Sequence, residues 1–475
     1  MSESIFIFRR DLRIDDNTGL LKTLSTNKST IPIFIFTPEQ LENENKYRSM
    51  NCIQFMIESL QDLDTDIRNR SGSKLFYFYG TPHIIIEKIL TERKGKINQV
   101  CVNMDYTPYS RQRDQKIEEV FKKMGVEFIS TEDSLLLPVE SVLTGGGTVY
   151  TKFTPYFRKA RTRNNKIPKP QKATSNQLQK LIGSNTRIDG QFDDTKINKF
   201  YTDNPSINVH GGRTNALKII KNVKLINSWK KYNKERDQLC YRTTYLSAYN
   251  KFGCLSIREV YWTLHNKLGN QNQLITQLFW RDFYYNIAYA YPRVLQGKSL
   301  KEKYDKLKWT NANHGIGKTL FDAWKNGLTG FPIVDACMRQ LNTTGFMHNR
   351  GRLIVSNFLI KILLIDWREG ERYFAQQLVD YDPSQNNGGW TWSSGSGADS
   401  QPYFRIFNPW LQGERFDKNG IYIRKWIPEL TNIDTKILHK GLDKEMSQTT
   451  GYPEPIVDYK KQKEKAMKMY SAIFT

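Results

Sequence analysis

Residues 5–13 read IFIFRRDLR, an apolar run followed at once by a cluster of charged side chains. Further short apolar runs follow as far as residue 130, and helix-like segments separate them. The apolar runs are Ile5–Phe8, Ile31–Phe36, Leu75–Tyr79, Val100–Asn103 and Val126–Ile129, and the helical segments are Cys52–Leu63, Pro82–Leu90 and Arg111–Met124. Short apolar strands that alternate with helices predict a doubly wound, mostly parallel α/β sheet domain over residues 1–130.

The turn after the first strand lacks the GxGxxG pattern of dinucleotide-binding sheets. It carries Arg9, Arg10 and Arg13 instead. These side chains could meet an acidic cofactor, and they could equally form structural salt bridges.

Residues 131–215 contain a Gly145-Gly146-Gly147 turn and a basic run, Arg158–Lys172, with few apolar residues around them. We interpret this segment as an interdomain linker of loop-rich surface chain. The basic run could contact a phosphate backbone or simply be solvated.

Residues 216–475 carry apolar side chains at spacings of three and four, and all ten Trp lie at or beyond Trp229. This pattern predicts a large all-α C-terminal domain. The clearest helical segments are Ile275–Tyr289, Thr319–Asn326, Ile333–Leu341 and Leu353–Trp367, and Tyr459–Tyr470 is a Lys-rich helix or tail.

The chain has 71 Lys and Arg against 48 Asp and Glu, a formal charge of +23. This excess favours a polyanionic partner, with nucleic acid first and an anionic membrane surface second. A Lys-rich composition typical of the source organism would also produce it.

The N-terminus lacks a basic region followed by a long apolar run, and no stretch of 18 apolar residues occurs. We therefore expect an intracellular protein that does not enter the membrane, with cytoplasm and nucleus both open.

The five Cys are scattered without a CxxC pair, and the six His form no HExxH motif. We expect no metal site and a reducing compartment.

Residues 380–408, DYDPSQNNGGWTWSSGSGADSQPYFRIFN, combine acids, amides and Trp in an arrangement that an ordinary core does not require. Carboxylates and amides can hold the polar edge of a heterocycle, and Trp rings offer flat faces for stacking or electron exchange. The segment predicts a flat, redox-active or base-like ligand.

Five long motifs, in this order, resemble the photolyase/cryptochrome family. They are FRRDLRIDDNTGL, FWRDFYYNIAYAYP, TGFPIVDACMRQLNTTGFMHNRGR, DWREGERYFAQQLVDYDPSQNNGGWTW and PYFRIFNPWLQGERFD. The resemblance spans nearly the whole chain. It implies an α/β antenna domain, a linker, and a helical domain that binds FAD and uses light to drive electron transfer to a DNA lesion.

The resemblance also assigns the flavin contacts. The stretch Thr243-Thr244-Tyr245-Leu246-Ser247 is similar to the family's phosphate-binding turn, where hydroxyl and backbone N–H groups suit phosphate oxygens. The other implied cofactor-binding residues are Tyr232, Arg281, Arg352, Asp380, Asp382 and Asn386. Arg352 is expected to pair with Asp380, and Asn386 to lie beside flavin N5, where a neutral amide favours a fully reduced anionic flavin.

In the same way, the resemblance implies an electron path through three Trp. Trp390 should lie nearest the flavin, Trp367 next, and Trp309 at the surface exit. The segment 311–318 is longer than in bacterial relatives, so the assignment of Trp309 depends on an imperfect match.

The implied lesion pocket has Trp280 and Trp392 as flat walls, Asn349 and Arg350 as donors, and Leu353 where bacterial relatives carry Met. The lesion must be flipped out of the duplex to reach such a pocket. Repair of the (6-4) photoproduct uses a His pair at the positions of Asn349 and Leu353, so their identities favour the cyclobutane pyrimidine dimer.

Gln277 stands where dimer photolyases usually carry Glu, and it resembles (6-4) photolyases and animal cryptochromes. An amide can donate a hydrogen bond to the pyrimidine carbonyl but has no easily transferred proton. We therefore expect dimer repair with a reduced quantum yield, and (6-4) repair or a cryptochrome-type photoreceptor remains the alternative.

Thr107 lies near the position of a Glu that holds a folate antenna in bacterial relatives. A folate is therefore doubtful, and a deazaflavin, a second flavin or no antenna chromophore stay open. The chain ends shortly after the shared domain without a long signalling tail, which argues for repair of UV-damaged DNA over signalling. We expect the protein to be a monomer.

Overall fold

The computed structural model describes residues 3–162 and 166–474. Its N-terminal part contains a five-stranded parallel sheet with strand order β3-β2-β1-β4-β5. The strands are β1 (Glu3–Phe8), β2 (Ser29–Phe36), β3 (Phe76–Tyr79), β4 (Ile97–Asn103) and β5 (Glu127–Thr131). The prediction of a doubly wound parallel sheet is confirmed.

Strand β1 lies at the centre of this sheet and feeds two hydrophobic cores. Ile5 and Ile7 belong to the core on one face, whereas Phe6 and Phe8 belong to the core on the other. Successive side chains of a strand point to opposite faces, so a run without polar residues is suited to a sheet covered on both sides. The covering helices are α1 (Thr18–Thr26), α2 (Pro38–Leu41), α3 (Met50–Ser71), α4 (Pro82–Glu92) and α5 (Pro108–Met124).

The strand order reverses at β1, whose neighbours are β2 on one side and β4 on the other. Open parallel sheets bind ligands in the crevice beyond the carboxyl ends of the strands at such a point. The cluster that begins at Arg9 lies there.

The segment 131–215 is less solvated than its composition predicted. It contains α6 (Phe153–Ala160), α7 (Ser175–Leu178) and a 3-10 helix (Asp194–Phe200). Phe153 and Tyr156 are buried in the core, and Asp282 of the helical domain accepts hydrogen bonds from the backbone N–H groups of Leu136 and Leu137. Aromatic residues at helical spacing therefore tie the linker to the helical domain. The basic run of residues 158–172 includes 163–165, which lie outside the described residues.

The C-terminal part is helical, as predicted. Its helices are α8 (Arg213–Lys221), α9 (Val223–Trp229), α10 (Tyr232–Glu235), α11 (Ser247–Phe252), α12 (Ile257–Leu268), α13 (Gln273–Ala290), α14 (Gly315–Asn326), α15 (Pro332–Thr344), α16 (Asn349–Lys361), α17 (Trp367–Gln377), α18 (Pro383–Ser394), α19 (Pro409–Phe416), α20 (Ile421–Trp426), α21 (Thr435–Leu438), α22 (Lys444–Thr450) and α23 (Tyr459–Ser471). Short 3-10 helices cover Pro292–Gln296, Glu302–Lys306 and Pro428–Leu430. Among the helices of the described residues, none is long and apolar enough to cross a membrane.

The single helix expected over Leu353–Trp367 is wrong, because two helices share this stretch. Helix α16 ends at Lys361 and α17 begins at Trp367. Between them Leu364 adopts a left-handed backbone with φ of 58°, and Asp366 caps α17 with its side chain. The apolar spacing continues through the break because the connecting residues are also buried.

Candidate active site

Helix α18 is the centre of the site. The space around three glycines shows which of its faces are packed and which is open. A Cβ atom on Gly388 would lie 2.3 Å from the ring of Tyr284, so this face packs tightly against α13. A Cβ on Gly370 of α17 would lie 2.1 Å from the ring of Trp390, so a second face packs against α17. Beside Gly389, by contrast, no side chain and no backbone of another segment among the described residues lies within 4 Å of the Cβ position. Since Asn386 lies one turn before Gly389, the two residues share an open face.

The amide of Asn386 has a fixed orientation on that face. Its Nδ2 donates to the backbone oxygen of Glu371 at 2.9 Å, which leaves Oδ1 as an acceptor. The Glu371 side chain is buried and its Oε1 accepts from Asn387 Nδ2 at 3.0 Å. Burial raises the pKa of Glu371 to about 7, and the hydrogen bond from Asn387 opposes the rise.

Asp380 and Arg352 form the ion pair that the resemblance implied. Nη2 of Arg352 lies 2.9 Å and 3.1 Å from the two carboxylate oxygens of Asp380, and Nε donates to the backbone oxygen of Met347. The Asp380 side chain is buried, so the pair is held in a low-dielectric environment at the start of the segment that leads into α18.

Asp382 is already engaged by the protein. Its Oδ1 accepts from the backbone N–H groups of Ser384 and Gln385, which makes it the N-cap of α18. Its Oδ2 accepts from Arg10 and from the Tyr285 hydroxyl. Burial raises the pKa of Asp382, but Arg10 and Arg281 outweigh burial, and the pKa lies below its usual value. The expected contact with the flavin or its ribose is untested, and in this structure the carboxylate serves the helix cap.

The implied phosphate-binding residues form a turn at the start of α11. Thr243 and Thr244 are half-buried, Leu246 is buried, and Ser247 is the exposed first residue of the helix. The Thr244 hydroxyl accepts from the backbone N–H of Leu246 at 3.3 Å. Tyr245 between them adopts a left-handed φ of 53°. The turn brings two hydroxyls and a helix start together.

Arg281 and Tyr232 are two further cofactor residues that the resemblance implied. Arg281 of α13 donates to the backbone oxygens of Asn250 in α11 and Ser134 in the linker, at 3.4 Å and 2.6 Å. Tyr232 is buried at the start of α10. Burial raises the pKa of Tyr232 to about 12, so its hydroxyl stays protonated.

Gln277 and Trp280 lie one turn apart on α13, and both are half-buried. The Trp280 ring stacks on Phe153 with centroids 3.7 Å apart and planes 8° apart. One face of Trp280 is therefore covered by the linker, and only the other can take a planar ligand. Trp392 of α18 is also half-buried.

Helix α16 begins with the implied lesion donors. Asn349 is exposed, Leu353 is half-buried one turn later, and Arg350 is held by an ion pair of 2.8 Å with Asp237. His348 precedes them as a buried N-cap whose Nδ1 accepts from the backbone N–H of Arg350. Burial lowers the pKa of His348 to about 4, so the imidazole is neutral at physiological pH.

The three Trp of the implied electron path differ in exposure. Trp390 and Trp367 are buried, whereas Trp309 is half-buried. The Trp390 ring contacts Phe374 and Trp324, with centroid separations of 5.0 Å and 6.2 Å. Trp367 lies at the start of α17, which packs against the helix of Trp390. Trp309 is thus the most exposed of the three, and the order of Trp390 and Trp367 along an electron path stays a prediction.

A separate cavity of about 480 Å³ lies beyond the carboxyl ends of β1 and β2. Its lining includes the N-terminal residues Arg10 and Thr107 and the helical-domain residues Glu371, Tyr381 and Pro383. The Thr107 hydroxyl accepts from the backbone N–H of Ser110 and so caps α5. This volume falls in the range of small-molecule sites.

The two sequence regions that form these sites match known family models. Residues 4–174 match the model for DNA photolyase, and residues 274–472 match the model for the FAD binding domain of DNA photolyase. The chain is 34% identical to the deoxyribodipyrimidine photo-lyase of Alkalihalophilus pseudofirmus, over 98% of this chain and 96% of that one.

This chain belongs to the DNA photolyase family. It is also similar to the archaeal photolyase from Sulfolobus tokodaii, whose crystal structure contains two FAD molecules and implies a novel light-harvesting cofactor. The two share 36% identity and a TM-score of 0.85, over 99% of this chain and all (100%) of that one. The bacterial class III photolyase from Agrobacterium tumefaciens shares 30% identity and a TM-score of 0.87, over 100% of this chain and 98% of that one. The predicted family and its FAD-binding domain are confirmed.

Sequence reasoning missed three parts of the photolyase site. Glu371, which orients Asn386, gave no signal because its partners come from another helix. Phe153, which backs Trp280, lies in a segment interpreted as linker. The role of Gly389 depends on open space, which a sequence does not report. Among residues 3–162 and 166–474, there is no group of three or more His, Cys, Asp or Glu side chains that could hold a metal.

Proposed function

We propose that this protein is a light-dependent deoxyribodipyrimidine photolyase that splits cyclobutane pyrimidine dimers flipped out of DNA. One observation carries the proposal: Asn386 presents an amide oxygen as an acceptor on the open face of α18, the helix that follows the Asp380–Arg352 pair and carries Trp390 and Trp392. A flat redox cofactor fits that arrangement.

The residues present fit FAD. Gly389 leaves the face of α18 beside Asn386 uncovered, and Asn386 Oδ1 can accept from a ring N–H without bringing a second negative charge. The turn before α11 can hold the phosphates through its hydroxyls and helix start. When bound and reduced, FAD supplies a light-excited electron that can enter the lesion.

The chain's own residues orient this cofactor and supply it with electrons. The Glu371 backbone oxygen fixes the Asn386 amide, so the acceptor is oriented before any ligand arrives. We propose that Trp390, Trp367 and Trp309 carry electrons from the surface to the cofactor. Trp390 is pressed against Gly370 and cannot rotate freely, which suits a relay that must keep its distances.

The lesion pocket that we propose has Trp280 and Trp392 as walls. Because Phe153 covers one face of Trp280, a flipped pyrimidine would stack on the opposite face. Gln277 lies one turn from Trp280 and would donate to a pyrimidine carbonyl. Asn349 and Arg350 would meet the lesion and its phosphates, with Arg350 oriented by Asp237.

The state of His348 favours the dimer over the (6-4) photoproduct. Its ring is buried, neutral and committed to capping α16, whereas the neighbouring exposed residue is Asn349. His348 therefore cannot donate a proton to the lesion as an imidazolium. Gln277 is the one residue that favours the alternative.

The cavity beyond β1 and β2 is the site that we propose for a light-harvesting chromophore. Thr107 has a hydroxyl rather than a carboxylate with which to hold a folate, and this hydroxyl already caps α5. The Sulfolobus tokodaii structure contains a second FAD. A flavin-type chromophore is therefore the candidate that we favour over a folate or a deazaflavin.

Ultraviolet-irradiated oligothymidine tests this function. Under blue light, the purified protein with its flavin reduced should restore the ultraviolet absorbance of thymine that dimerisation removes, and it should not do so in the dark. Binding should weaken steeply with salt, because the net charge of +23 holds phosphates by counterion release. Absorbance that stays constant under light would overturn the proposal.

A further inference from the structure

Arg10 links the N-terminal sheet to the helical domain, and the proposed chemistry assigns it no role. It follows β1, and its Nε donates to the backbone oxygen of Lys251 at 3.2 Å. Nη1 lies 3.3 Å from Asp105, at the end of β4. Nη2 donates to Tyr285 and to Asp382, which both belong to the helical domain.

Through Asp382, Arg10 contacts the residue that caps the N-terminus of α18. The same carboxylate accepts from the first free backbone N–H groups of the helix at 3.0 Å and 3.2 Å. Asn386 follows one turn later. Arg10 thus fixes the orientation of the carboxylate from which the cofactor-facing helix starts.

Arg10 also lines the cavity beyond β1 and β2, together with Tyr381 and Pro383, the two neighbours of Asp382. A ligand in this cavity would contact residues on both sides of the cap. It would also cover the part of Arg10 that is still exposed, and an ion pair strengthens as its surroundings become less polar.

We propose that Arg10 is a positioning residue through which occupancy of this cavity strengthens FAD binding at α18. The inference rests on the proposed function, since it takes the open face of α18 as the FAD site. Coupling of this kind is reciprocal, so bound FAD also tightens binding in the cavity.

The test compares FAD release from purified holoprotein with and without saturating FMN, which serves as the probe for the cavity. Arg10→Gln is the test variant. Arg93→Gln is the control, because Arg93 pairs with Glu3 at the opposite end of β1, with an N–O distance of 2.7 Å. Chromatography that separates released FAD from FMN reports release, and limited proteolysis checks that each variant is folded.

FMN should slow FAD release from the unaltered protein and from Arg93→Gln. Arg10→Gln should release FAD faster, on the order of fivefold, and FMN should no longer slow it. If Arg10→Gln does not fold, Asp105→Asn removes the other carboxylate that anchors Arg10 and should give a smaller effect of the same sign.

An Arg10→Gln protein that releases FAD at the rate of the control would overturn the inference. So would an FMN effect that persists in that variant, or one that is absent from the unaltered protein. A chain that never retains FAD in any form would instead refute the proposed function.

Discussion

Replacement of Gly370 by Ala tests whether close packing between α17 and α18 fixes Trp390. The new Cβ would lie 2.1 Å and 2.4 Å from two ring carbons of Trp390, and 2.6 Å from a methyl group of Leu359. All three are side-chain atoms of a buried core, so the ring or the helix has to move.

The magnitude follows from these distances. Ordinary contact begins at 3.4 Å, so the ring must retreat by 3.4 − 2.1 = 1.3 Å. Overpacking of this kind costs about 1–3 kcal/mol of the free energy of unfolding. Ala also favours a helix over Gly by about 1 kcal/mol, which partly hides the cost.

Gly389→Ala is the matched control, because it makes the same change in the partner helix beside open space. Urea titration of the two proteins without bound cofactor should give Gly370→Ala a free energy of unfolding lower by about 1–3 kcal/mol. Once FAD is bound, flavin photoreduction should also be slower in Gly370→Ala than in the unaltered protein, which is the reference here because Gly389 borders the proposed cofactor space. Equal stability and an unchanged photoreduction rate would refute the reasoning about Trp390.

Three further substitutions test the site and its surroundings. Gln277→Glu should raise the repair yield, because a carboxyl can share a proton with the pyrimidine carbonyl; an unchanged yield and lesion affinity would remove Gln277 from the mechanism. Trp309→Phe should slow flavin photoreduction without affecting repair by protein that is already reduced, and a normal photoreduction rate would exclude Trp309 as the exit. Lys361 is buried, donates to the backbone oxygens of Tyr403 and Arg405, and has its pKa lowered by burial to about 7. Between pH 7 and the usual value of 10.5 the unfolded chain then binds more protons, so the free energy of unfolding should rise with pH by on the order of 4 kcal/mol. This rise should be missing from Lys361→Met in urea titrations, and its persistence there would contradict the assignment.

The sheet could be predicted from the sequence because each strand is a short apolar run. In the central strand β1, the run Ile5–Phe8 is apolar because its side chains enter the cores on both faces of the sheet. The break between α16 and α17 could not be predicted in the same way, because Leu364 is apolar and nothing in its identity indicates a left-handed backbone.

In the candidate site, too, some contacts could be predicted from the sequence and others could not. The Asp380–Arg352 pair was expected because both residues lie in long motifs, and the structure contains it. The Arg10–Asp382 contact joins residues from opposite ends of the chain, and Arg10 could have met a cofactor as readily as a carboxylate. Only the packing of the two domains decides between those roles.

The most direct measurement uses defined duplexes that carry either one thymine cyclobutane dimer or one (6-4) photoproduct. The reduced protein and blue light should return the first duplex to intact thymines, as chromatography of the digested strand would detect, and should leave the second unchanged. Repair of the (6-4) photoproduct, or of neither lesion, would contradict the account.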